Sequence, residues 1–100
     1  MAQLLNRTMR DGSRWFGELP QSVLWYDLRD HIARLDGADV TEFVTDGVPE
    51  AWIEFKYRGY QFSVNDQFGE YWFFVDDPLC PDDTLEEVLS HCSRMLSKSE

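Results

Sequence analysis

Residues 51–64 read AWIEFKYRGYQFSV, and this stretch constrains the fold more than any other. Ala51, Ile53, Phe55 and Tyr57 recur at every second position, with Trp52, Glu54 and Lys56 between them. That is the period of a strand, not of a helix. A tight turn at Arg58-Gly59 pairs Tyr57 with Tyr60, Phe55 with Phe62 and Ile53 with Val64. All six then share one face, as antiparallel pairing requires. Gln61, Ser63 and Asn65 fall on the reverse side.

Strands are expected on both flanks of this hairpin. Downstream, Asp66-Gln67-Phe68-Gly69 predicts a four-residue turn that pairs Asn65 with Glu70 and Phe62 with Phe73. Tyr71, Phe73 and Val75 then join the buried face, and Trp72 and Phe74 the other. A three-residue loop with a bulge would exchange the two sets. Upstream, VTEFVT at 40–45 reads as a first strand, but its faces separate poorly. Val40 and Val44 lie on one side and Phe43 on the other. Asp46-Gly47 starts a turn, and Pro49 keeps the next residues out of a central ladder.

Helices bracket the sheet. Leu24, Leu28, Ile32 and Leu35 form an apolar stripe, widened by Trp25, which predicts a helix from about Pro20 to Leu35. Pro20 suits its first turn, Ser22 is a rival cap, and Asp36-Gly37 ends it. Leu85, Val88, Leu89, Cys92 and Leu96 form a second stripe, with Asp83 or Thr84 as cap and Arg94 and Lys98 at the far end. The first nineteen residues read as an arm. Leu4, Leu5 and Met9 suit a short helical stretch that stops at Asp11-Gly12, with Trp15 and Phe16 as candidates to tie the arm down; the alternative is that the first ten residues are frayed.

The expected fold is therefore two-layer α+β. A four-stranded antiparallel meander is packed on one face by two helices, in the order helix, four strands, helix. One hundred residues suit a single domain over 1–100, with the arm at 1–19 and a compact core at 20–97.

Charge narrows the function classes. Nineteen acidic residues against nine Lys and Arg give a net charge of -10. That weighs against nucleic-acid binding and against adsorption to anionic membranes. No apolar run is long enough for a spanning helix, and the start lacks a signal-peptide core, so the cytoplasm is the default location. A basic partner surface is compatible with the acidity, as is plain solubility.

Chemical motifs are absent. Cys80 and Cys92 make neither a disulfide framework nor a zinc set, and no cofactor is implied. Cys92 reads as inert core and Cys80 as the more exposed thiol. His31 fringes the first helix stripe, and His91 falls on the solvent side of the last helix or at its boundary. No nucleophile elbow, phosphate loop or dinucleotide fingerprint occurs. Asp76, Asp77, Asp82 and Asp83 match no calcium loop and read as a turn plus a helix cap.

One surplus remains. Trp52, Trp72 and Phe74, with Glu54 and Glu70 beside them, fall on the sheet face opposite the helices, which is normally wet. The arm, a protein partner, a second copy of the chain or a small ligand are the candidates to cover it. The expectation is a non-enzymatic acidic domain that binds protein or self-associates there. A small-ligand sensor or carrier and a small enzyme are the alternatives.

Overall fold

The computed structural model describes residues 4–20, 24–44, 52–67 and 70–96. The expected cap at Ser22, the Asp46-Gly47 turn with Pro49, Ala51, the Phe68-Gly69 part of the turn and residues 97–100 lie outside them.

The hairpin forms as its alternation requires. Strands β4 (Trp52–Tyr57) and β5 (Tyr60–Gln67) pair Tyr57 with Tyr60, Phe55 with Phe62 and Ile53 with Val64. Arg58 and Gly59 have φ of 54° and 84°, the doubly left-handed turn whose twist matches the strands. Strand β6 (Glu70–Val75) pairs Gln67 with Glu70 and Val64 with Phe73. The expected register is therefore off by two residues, because Asp66 and Gln67 continue the ladder and do not turn. A slip of two preserves the faces, so Tyr71, Phe73 and Val75 are fully buried as the pattern demands.

The expected four-stranded meander is overturned. Six strands form one antiparallel sheet in the order β1-β2-β6-β5-β4-β3. The two additional strands, β1 (Arg7–Thr8) and β2 (Arg14–Pro20), come from the segment read as an arm. The order is non-sequential because β2 docks on β6, more than fifty positions later in the chain. Pro20 ends β2 opposite Glu70 and does not begin a helix. Helix α1 spans only Trp25–Ala33, and Leu24, expected in its stripe, is 71% exposed at its N-cap.

Two bulges explain why these strands were hard to read. In β2, Trp15 faces Phe74 and Gly17 faces Phe73, so Phe16 is the extra residue. The chain then sends Trp15 to one face and both Phe16 and Gly17 to the other. Phe16 is fully buried against Phe62 and Phe73. Strand β3 (Asp39–Val44) has Val40 opposite Phe55 and Glu42 opposite Glu54, with Thr41 extra. That shift puts Val40 and Phe43 together on the core side.

Helix α2 (Asp82–Leu96) completes the second layer. Its first-turn amides at Thr84 and Leu85 bond to the Pro81 carbonyl, so Asp83 and Thr84 sit inside the helix and not at its cap. Leu28 and Ile32 of α1 and Leu85, Val88, Leu89 and Cys92 of α2 cover the sheet in a single core. Arg14 is nearly buried and ties three segments together. Its guanidinium donates to the Leu5 carbonyl at 2.7 and 3.0 Å and to the Asp82 carboxylate at 3.1 Å.

Two glycines test this packing for different reasons. A Cβ on Gly17 would overlap a Leu89 methyl, and Leu89 is itself buried. Gly17→Ala is expected to cost about 1–3 kcal/mol through overpacking. Gly59 has open space around it, so Gly59→Ala is expected to lose only about 1 kcal/mol, from its left-handed backbone. Denaturant midpoints of the two variants measure both values.

Candidate functional site

The pairing fixes the outer sheet face position by position. One row across the strands runs Glu18, Trp72, Asn65, Trp52. The adjacent row runs Trp15, Phe74, Ser63, Glu54, Glu42. Trp52, Glu54, Trp72 and Phe74 are thus on one side of the sheet, with Glu70 at its end, and all five are half-buried. Sequence reasoning had placed these residues on a common face.

The bulge in β2 adds Trp15 to them. Its ring stacks on Trp72 with centroids 3.9 Å apart and planes 20° off parallel. The indole N–H donates to the Gly17 carbonyl at 3.0 Å. Arg7, opposite Trp15 on β1, places its guanidinium 5.8 Å from the Trp15 ring centroid. Phe16, a candidate to join this cover, goes to the core instead, and Met9 is 36% exposed.

Carboxylates flank the rings. Glu42 and Glu54 are directly opposite neighbours on β3 and β4. Burial holds the Glu54 carboxyl above its ordinary range, and the Glu42 and Asp76 charges push it the same way. Glu18 is raised too, first by burial and then by the charge and hydrogen bond of Glu70. Like charges set across a ladder destabilise it, so the face holds its acids at some cost. Glu18, Glu42 and Arg7 escaped the sequence reading because their places depend on β1, β2 and the β3 bulge.

The two histidines come together on the other side, which the sequence did not reveal. Their rings stack at 4.0 Å and 11° between α1 and α2. His31 Nε2 donates to the His91 carbonyl at 2.6 Å, and His91 Nε2 donates to the His31 carbonyl at 2.5 Å. Both bonds require a hydrogen on each Nε2, since carbonyls solely accept. His91 is buried, which excludes the solvent-side placement and leaves the boundary one. Burial holds its pKa below the ordinary value, aided by the charges of His31 and Arg94, against the opposing bond to His31.

His91 also borders an open cleft of about 600 Å³ along α2, with Leu35 and Tyr57 at its sides and Asp83, Glu86, Glu87, Ser90 and Arg94 on the helix. Tyr57 donates to Glu87 at 2.7 Å, and Arg58 pairs with the same carboxylate at 2.9 Å. Glu87 is thereby committed to the fold. Neither thiol is activated. Cys80 is buried, not exposed as expected, and burial pushes it up to about 11 and Cys92 to about 12. Among the described residues no group of His, Cys, Asp and Glu is arranged to hold a metal ion, and no helix is long and apolar enough to cross a membrane. Comparisons with protein-family models, with curated proteins and with solved structures give no match.

Two outcomes follow. Below pH 6.5 the unfolded chain takes up a proton that folded His91 resists, so stability is expected to fall as pH drops from 6.5 through its depressed pKa. Glu18 and Glu54 act oppositely and only nearer 4.5, because their raised pKa values favour proton uptake by the folded chain. Melting temperatures between pH 7.5 and 5.5 should slope for the native chain and flatten for His91→Gln. Separately, Glu54→Gln is expected to raise stability by roughly 0.2–1 kcal/mol by removing one like charge.

Proposed function

We propose that this chain is a protein-binding domain, and that its outer sheet face docks a partner presenting positive charge. The observation that carries this reading is the stacked Trp15–Trp72 pair with Phe74 and Trp52 in adjacent rows, bordered by Glu18, Glu42 and Glu54. Half-buried aromatic rings supply contact area at low entropic cost. Carboxylates at the rim favour a partner of opposite sign. A second copy of the chain fits poorly, because face-to-face pairing brings these acids together between two molecules of charge -10 each. The domain therefore acts as a monomer with a heterologous basic partner.

Light scattering and affinity capture test this together. Ser63→Arg sets a long cation in the middle of the face while leaving the buried Phe62 and Val64 in place. The native chain should be monomeric and capture a basic protein that the folded Ser63→Arg variant does not retain. A dimer that Ser63→Arg disrupts, or capture indifferent to that substitution, contradicts the reading.

A further inference from the structure

The register sets short polar side chains along the middle of the outer face. Ser63 and Asn65, the short side chains of the central strand β5, lie between Phe74 and Trp72 on β6 and Glu54 and Trp52 on β4. Their two rows are two residues apart, about 6.8 Å along the strand. That equals the spacing between same-side residues of any extended chain laid along β5. Each row sets an aromatic residue of β6 beside a polar residue of β5. One row ends in Glu54 beside Glu42, and the other runs past Trp72 to Glu18.

The face already holds one group of the kind this arrangement suits. Arg7 lies over Trp15, which in turn stacks on Trp72, so a guanidinium and two indoles follow one another across β1, β2 and β6. Guanidinium is planar, stacks on aromatic faces and bonds carboxylate with two parallel N–H donors. Ammonium is a strongly hydrated point charge that gains less from flanking rings. Resting on the docking function proposed above, the geometry points to arginine as the recognised residue. An extended partner segment lies along β5 with arginines at alternate positions, one guanidinium over the Phe74–Ser63–Glu54 row beside Glu42 and the next over the Trp72–Asn65–Trp52 row.

Three amidated hexapeptides distinguish the possibilities, alternating glycine with arginine, with lysine or with glutamine. Tryptophan emission and calorimetry follow their binding to the full chain. The arginine peptide is expected to bind about tenfold tighter than the lysine peptide, the gain that stacking of a partly desolvated guanidinium provides. The glutamine peptide should not bind. Glu54→Gln, whose fold is not weakened, should lower arginine-peptide affinity about tenfold, as loss of one charge-assisted contact does. Equal arginine and lysine affinities overturn arginine recognition and leave the basic-partner reading standing. Binding unchanged in Glu54→Gln places the peptide elsewhere and also overturns it. No binding of either basic peptide at low salt counts against both.

Discussion

The pairing of β2 with β6 determines both faces of this sheet. Without it, β6 would be an edge strand, and Phe73 and Trp72 would lack neighbours on one side. The bulge at Phe16 does the dividing. It turns Phe16 and Gly17 into the core and Trp15 onto the opposite surface within three residues. Gly17 then admits Leu89 so closely that no larger residue fits beneath α2 without displacement. One irregularity in one strand thus sets a helix-to-sheet distance and builds a tryptophan stack.

The helical layer is fastened at points far apart in sequence. Arg14 holds the start of α2 to β2 and to the Leu5 carbonyl, and its burial is tolerable because its donors meet oxygen acceptors. The histidine pair fastens α1 to α2 by two reciprocal bonds. Helix α1 needs that support, having nine residues and no side-chain N-cap. Its connections run from one side of the sheet at β2 to the far edge at β3, which is how a single short helix closes a non-sequential topology.

The legible part of the fold is the part that repeats regularly. Strands β4 and β5 alternate without interruption, and Arg58-Gly59 imposes the turn, so register and face follow from local physics. Strand β6 kept its faces despite a misjudged turn, because an error of two residues leaves parity intact. Of the strands missed or blurred, β2 and β3 carry bulges, and β1 is only two residues long. WFGELP contains a glycine, a proline and an extra residue, so no period of two survives in it, and its partner lies more than fifty residues away. The same cause blurred Val40 and Phe43 in β3. The candidate site was legible in so far as Trp52, Glu54, Trp72 and Phe74 belong to the regular strands. Trp15, Glu18 and Glu42 depended on the bulged ones. The burial of His91 was not legible because it comes from α1, not from the sheet its own helix covers.

These two layers carry different chemistry. The helix side uses its polar groups for fastening, as Glu87, Arg14 and both histidines illustrate. The outer face keeps rings half-exposed and acids side by side, which serves the stability of the sheet poorly. Trp15, its stack on Trp72 and the place of Glu18 depend on β2 being a true strand of the sheet. Native-state hydrogen exchange addresses this most directly. The β2 amides that bond to β6 should exchange with the same opening free energy as the β5 amides of Phe62 and Val64. Exchange of those β2 amides at the rate of an unstructured chain, with β5 still protected, would contradict the account.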